Sequence, residues 1–287
     1  MAKLFDQMTI CGVGLIGGSL AAIVRDKGLV GSVVGLGRSR ANLDLALERG
    51  LIDRATQNAT EAADGADLVV LCVPVRSMPA TFAAMAPNLP QRAVITDVGS
   101  VKEWVVRELE PMLGPEMALV GGHPVAGKET TGAGAADAAL FEGRRTILTP
   151  AARSTPDAIY RIESLWRATG ARVERMTPHE HDEIMARASH LPQVVASALA
   201  AALEGERVGD RIAAEYGAGG LRDTTRIAAS LAEMWRDIVL TNRMAIGEAM
   251  ALFRAAFEEF ERAIESGDSE RFEAIFNRGR AMRERIG

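Results

Sequence analysis

The chain has 287 residues but only four histidines, and two of them sit where an imidazole can act on a small molecule. His123 lies in VGGHPVAGKE at the C-terminal end of an apolar run, and open α/β sheets meet their ligands at the C-terminal ends of strands. A side chain with a reference pKa of about 6.5 is largely neutral near pH 7, so it can take a hydroxyl proton while hydride departs. His123 is therefore read as a general base, the alternative being a loop histidine that only fixes its turn. His190, in RASHLPQ, falls on a helix that Pro192 should bend, because proline removes a backbone donor and frees the carbonyl of Ala188. An imidazole at such a break is a candidate substrate contact, against a histidine satisfied within the core. His179 and His181, in TPHEHDE, are too poorly spaced for a metal, since residues two apart on a helix point in different directions. A polar first turn complementing the helix dipole describes them better.

A second chemistry is written in glycine. Gly12, Gly14 and Gly17 form G-x-G-x-x-G directly after the apolar run MTIC, with Gly18 beside them. In that context Gly12 permits a tight turn, Gly14 lets the backbone approach a pyrophosphate, and Gly17 lets helix and strand pack closely. The opening residues of the helix, Leu15 and Ile16, then offer free N–H groups and a positive dipole end to the phosphates. Val73, next to last in the run LVVLCVP, is expected beside the same ligand. Some 20 residues on, an acid would bind a ribose 2′-hydroxyl, but VVGLGRSRAN places Gly37 there, followed by Arg38, Ser39 and Arg40. With no carboxylate to repel a 2′-phosphate and Arg38 and Ser39 at hand, the cofactor is read as NADP, with NAD the alternative.

Three further stretches carry polar groups. Ser100, in DVGSVK, is expected to cap a helix and to hydrogen-bond near the nicotinamide end. GAGGLRDTTRIAAS holds Arg222, Asp223 and Arg226; either arginine is suited to clamp a substrate carboxylate, and the competing reading is an ion pair along one helix face. Gln193, beside Pro192, is a candidate acceptor for a substrate ammonium.

These residues need a scaffold, and the first half supplies a repeating one. Apolar runs at 8–11, 32–36, 68–74, 93–98, 118–122, 145–150 and 172–176 alternate with amphipathic stretches. That alternation predicts βαβ units and a mostly parallel, doubly wound sheet of Rossmann type over residues 1–176. After it, Thr177, Pro178 and Glu180 fit a capped helix start, and Ile184, Ala188, Leu191, Val195, Ala198 and Ala202 recur at helical spacing. Residues 177–287 are expected to be an all-helical domain whose long apolar faces suit a homodimer.

Composition agrees with such an enzyme. A net charge of −5 and 48% apolar residues give no nucleic-acid footprint, and no run is long and apolar enough to span a membrane. Cys11 and Cys72 lie in apolar runs, which reads as reduced thiols in a cytoplasmic protein. The opening MAKLFDQM lacks the apolar stretch of a signal peptide.

Taken together, GVGLIGGSLA, DVGSVK, GGHPVAGKE, HD followed by SHLPQ, and LRDTTRIA with MWRDI resemble the prephenate and arogenate dehydrogenase family of tyrosine biosynthesis. The resemblance runs from about residue 8 to residue 240 in order and spacing. It implies a dinucleotide-binding domain joined to a helical dimerisation domain, and an oxidative decarboxylation in which hydride leaves a cyclohexadienol and the ring carboxylate departs as CO2. It further implies that His123 accepts the proton of the ring hydroxyl, with Ser100 bonding nearby. His190 would orient the substrate, Arg226 would hold a carboxylate, and Glu129 and Asp223 would stand at the cleft entrance. Gly37 with Arg38 departs from the acid of NAD-preferring members. The regulatory or mutase domains that some relatives carry are not expected after the helices. Against a hydroxyacid or imine dehydrogenase stands the absence of any lysine after Lys128, and against a nucleotide sensor the presence of both a base and a cationic anchor.

Overall fold

The computed structural model describes residues 3–128 and 130–286; Glu129 lies outside the described residues. The first half runs β1 (Phe5–Cys11), α1 (Leu15–Asp26), β2 (Val30–Leu36), α2 (Arg40–Glu48), β3 (Arg54–Thr56), α3 (Ala59–Ala63), β4 (Leu68–Leu71), α4 (Met78–Met85), β5 (Val94–Asp97), α5 (Glu103–Leu109) and β6 (Ala118–Pro124). It closes with β7 (Arg145–Pro150), α6 (Pro156–Ala168) and β8 (Arg172–Arg175). The eight strands form one sheet in the order β3-β2-β1-β4-β5-β6-β7-β8. The first six are parallel, and β7 runs antiparallel to β6. Strands covered on both faces need apolar side chains throughout, which is why LVVL of β4 is buried at every position. One face packs around Trp166, Phe141 and Leu20, the other around Phe82, Met78 and Leu109. The strand order reverses between β1 and β4, and the crevice at that switch point faces the C-terminal ends of both. The short β3 gave no apolar run in the sequence because only Thr56 of its three residues is buried.

The second half opens with α7 (Pro178–Met185), where Thr177 and Glu180 form the expected capping box, and continues through a π-helical turn (Ala186–His190) into α8 (Leu191–Ala202). A hairpin, β9 (Arg207–Val208) with β10 (Arg211–Ile212), follows. Then come α9 (Gly219–Thr225), α10 (Ala232–Thr241), α11 (Arg243–Ser266) and α12 (Ser269–Arg285). The expectation of an all-helical second half is thus corrected: Gly205 and Gly209, both at positive φ, turn the chain into that hairpin. The apolar stripe on α7 and α8 is only partly buried. Ile184 is 46% exposed and Ala188 is exposed too, while the buried positions are His181, Asp182, Met185, Ala186, His190, Gln193 and Ala196. His181 and Asp182 face the sheet domain, and much of the apolar periodicity faces outward in the single chain. Phe253, Phe257 and Phe276 on α11 and α12 are likewise exposed.

Candidate active site

A cavity of about 930 Å3 opens at the switch point, lined among others by Gly12, Gly14, Arg38, Ser39 and Val73. The glycines do what their spacing implies. Gly12 has φ +97°, and a Cβ there would lie 2.8 Å from the Cys72 carbonyl oxygen. A Cβ on Gly17 would lie 2.5 Å from the Gly12 carbonyl oxygen, so Gly17 sits beneath the turn rather than in the cavity. A Cβ on Gly14 would meet nothing within 4 Å, which is the open approach a pyrophosphate needs. Gly14 caps α1 without a side chain, the first intrahelical bond of the turn is Gly18 N–H to Gly14 O, and no acid occupies the first turn. The N–H groups of Leu15 and Ile16 are therefore left for a ligand. Asn42 clamps this turn: it donates to the Val13 carbonyl at 2.8 Å and accepts from Ala133 N–H at 2.8 Å.

Past β2, Gly37 leaves the cavity free of a carboxylate, and Arg38 beside it is exposed with no ion pair among the described residues. Arg40 is paired with Asp44 at 2.8 Å, and Ser39 caps α2 by accepting from Asn42 N–H at 3.3 Å. The cavity, the open Gly14 and the bare helix start together fit a dinucleotide.

His123 is the last residue but one of β6 and is 8% exposed. Its Nδ1 lies 2.8 Å from His181 Nε2, and His181 Nδ1 lies 2.7 Å from Asp182 Oδ1. Nε2 of His123 has no hydrogen-bond partner among the described residues and is not sealed from solvent. Asp182 accepts from Lys102 N–H at 2.7 Å and from Glu103 N–H at 3.0 Å. It thereby caps α5, the task that the sequence reading gave to Ser100. The correction has a simple cause: the helix starts at Glu103, too far along the chain for Ser100, whose hydroxyl makes no hydrogen bond among the described residues. The Lys102 ammonium is fully buried, bonded to the Asp97 carboxylate and 2.6 Å from the Gly122 carbonyl oxygen. Burial, with the neighbouring His181 and Lys102, holds His123 well below the usual imidazole value. Burial and Lys102 hold His181 below it as well.

Histidines 179 and 181 diverge as residues two apart must. His179 is at the surface, 3.3 Å from Glu103, but His181 is completely buried and joins the His123 cluster. Its place in that cluster went unread, because nothing local separates a docked first turn from a solvated one.

His190 sits on the π turn, a place where helices often carry function, and is buried. Burial lowers it to about 4, while Asp182 and the Ser100 backbone act in the opposite direction. Asn242 Nδ2 lies 3.3 Å from its Nδ1, whereas Nε2 is buried with no partner. Trp235 stands edge-on to the ring at 6.0 Å. Gln193 donates to the Ile227 carbonyl at 2.9 Å and so ties α8 to the short 3-10 turn Arg226–Ala229 that carries Arg226. Arg222 and Asp223, both exposed on α9, make no ion pair among the described residues, so the pairing considered for that face is not formed.

A parallel sheet with a glycine-rich phosphate turn, and a buried neutral imidazole at the end of a strand beside it, define a dinucleotide-dependent dehydrogenase. Residues 20–175 match the model of the prephenate dehydrogenase nucleotide-binding domain, and residues 177–278 match that of the prephenate dehydrogenase dimerization domain. The chain belongs to the prephenate dehydrogenase family. Cyclohexadienyl dehydrogenase of Zymomonas mobilis is 38% identical over 93% of this chain and 91% of its own length. Prephenate dehydrogenase of A. aeolicus, solved with hydroxyphenyl propionate and NAD+, is 32% identical with a TM-score of 0.93 over 98% of each chain. Arogenate dehydrogenase of Synechocystis is 28% identical with a TM-score of 0.85 over 98% of this chain and 100% of its own. The family's reaction is the oxidative decarboxylation of prephenate or arogenate with hydride transfer to a nicotinamide cofactor, a step of tyrosine biosynthesis.

Proposed function

We propose that this chain is a cyclohexadienyl dehydrogenase that prefers NADP, accepts both prephenate and arogenate, and uses arogenate at least as well. The observation that carries the catalytic reading is His123, neutral and nearly buried at the end of β6, with an unpartnered Nε2. His123 Nε2 takes the proton of the ring hydroxyl. A bound nicotinamide supplies the hydride acceptor. Once the hydroxyl carbon is carbonyl-like, the carboxylate across the ring is a vinylogous β-keto acid, and its electrons flow into the ring to give a phenol. The protein has only to align these groups and hold the substrate still.

The remaining roles follow from what each side chain has left to offer. Ser100, free of any capping duty, hydrogen-bonds the hydroxyl under attack. Asn242 N–H pointed at His190 Nδ1 leaves the His190 proton on Nε2, an orphaned donor suited to a substrate oxygen. Arg226 anchors a substrate carboxylate, with Arg222 second in line, and Asp223 stands at the entrance. With its amide nitrogen engaged, Gln193 keeps Oε1 for a substrate ammonium. Residues 1–176 and 177–287 act as the cofactor and the substrate domains. The exposed phenylalanines of α11 and α12, in a region that matches a dimerization domain, support a homodimer.

The preference for NADP draws on Gly37 and on Arg38, whose guanidinium is uncommitted among the described residues, while Asp44 holds Arg40. No helix of the described residues is long and apolar enough to cross a membrane, in line with a cytoplasmic enzyme. The test is the formation of reduced cofactor from prephenate and from arogenate with NADP and NAD, comparing kcat/KM. Faster turnover with NAD refutes the cofactor reading, and strict use of prephenate refutes the substrate reading.

A further inference from the structure

Beyond the groups already given a task, His181 and Asp182 form a chain of buried, hydrogen-bonded polar side chains that ends on His123, and both come from the helical half. Neither lines the cofactor cavity. We propose that Asp182 and His181 are positioning residues that hold His123 in the one tautomer able to act as a base, with its proton on Nδ1 and a bare lone pair on Nε2. The proposal rests on the reading of His123 as the base.

The assignment follows from counting protons along the chain of contacts. Asp182 receives a backbone N–H on each oxygen, from Lys102 at 2.7 Å and Glu103 at 3.0 Å. Burial raises its pKa, but these donors and the Lys102 ammonium stabilise the ionised carboxylate. A carboxylate only accepts, so His181 Nδ1, 2.7 Å from Oδ1, must donate. A neutral imidazole that donates from Nδ1 has a lone pair on Nε2. The 2.8 Å contact from that lone pair to His123 Nδ1 needs one proton, and only His123 can supply it. His123 is then left with a bare Nε2, the one nitrogen of these two rings with no protein partner among the described residues.

The groups around the pair keep both rings neutral. Burial and the Lys102 ammonium act on each of them, His190 adds to the effect, and Asp97 holds Lys102 in place. The same carboxylate that fixes the tautomer also caps α5, so one residue of the helical half orders a helix of the sheet domain and orients the base at the end of β6. The base is in its working form only while α7 is docked there.

Ring 15N NMR of the full-length, histidine-labelled protein at neutral pH reads the tautomer without reference to turnover. The expected spectrum has His123 protonated at Nδ1 and bare at Nε2, and His181 protonated at Nδ1. Two variants extend the test. His181→Phe keeps the ring's bulk and removes the acceptor; it should lower kcat by about 10²-fold or more, since a base in the wrong tautomer loses up to about 10⁴, and leave the KM for cofactor unchanged. His181→Gln restores an acceptor and should recover about tenfold of that loss. A wild-type His123 that carries its proton on Nε2, or averages between tautomers, overturns the proposal. So does a folded His181→Phe protein that turns over within about threefold of the parent. If the spectrum is as expected while His123→Asn stays fully active, the base reading fails and the tautomer assignment stands.

Discussion

As the proposed base, His123 must meet two opposing demands: it must be neutral to accept a proton, and it must reach solvent or substrate to find one. Burial against Lys102 and His181 meets the first, and the uncommitted Nε2 meets the second. His123→Asn should lower kcat by roughly 10² to 10⁴ with little change in cofactor affinity, as steady-state kinetics would reveal. Near-normal turnover would remove it from the mechanism. Arg38→Ala removes a charge-assisted bond of about 1.5–3 kcal/mol, so the KM for NADP should rise roughly 10- to 150-fold while that for NAD stays put. A parallel change for both cofactors would mean that Arg38 ignores the 2′-phosphate. Arg226→Ala should appear as a similar rise in substrate KM, measured by initial rates; a small effect would transfer the anchor to Arg222. The positions of His123, Arg38 and the glycines were legible because each lies beside a strand end that its own neighbours predict. His181 was not, since its burial comes from β6 and α5, over fifty residues upstream.

The α5 start shows what an element can hide. DVGSVK looks like a helix entry with its own serine cap, yet the cap is the carboxylate of Asp182, which reaches across from α7. A lost N-cap costs about 1 kcal/mol, so the two assignments separate cleanly. Ser100→Ala should leave the chemical-denaturation midpoint within about 0.5 kcal/mol of the parent while lowering kcat/KM. A drop of a full cap's worth would return the serine to a structural role. The helix break around Pro192 was readable, though its form, a π turn ending at His190, was not. A missing donor dictates that the helix must deviate; the packing of Trp235 and Asn242 against His190 accompanies the form taken here.

Across the whole molecule, three buried histidines make acid a threat to the fold. His123, His181 and His190 have native pKa values below the unfolded value of about 6.5. Below that pH the unfolded chain binds protons that the native chain refuses, so stability is present above about pH 6.5 and is lost as pH falls toward the native values. Each histidine adds a slope of about 1.4 kcal/mol per pH unit at most, with Asp182 working in the opposite sense because its native pKa is raised. Urea midpoints measured from neutral pH down to about pH 5 should fall steadily. A flat profile would mean that these rings are charged in the native state. Local chemistry determined the doubly wound sheet, the phosphate turn, the capped entry to α7 and the place of His123 near a strand end, because hydrogen bonds and periodicities within a few residues specify them. Only the tertiary structure decided that α7 turns its polar face inward, that Asp182 serves two domains, and that a hairpin interrupts the helices. Those outcomes depend on which surfaces come together in space, and the desolvation that gives a buried charge its meaning has no counterpart along the chain.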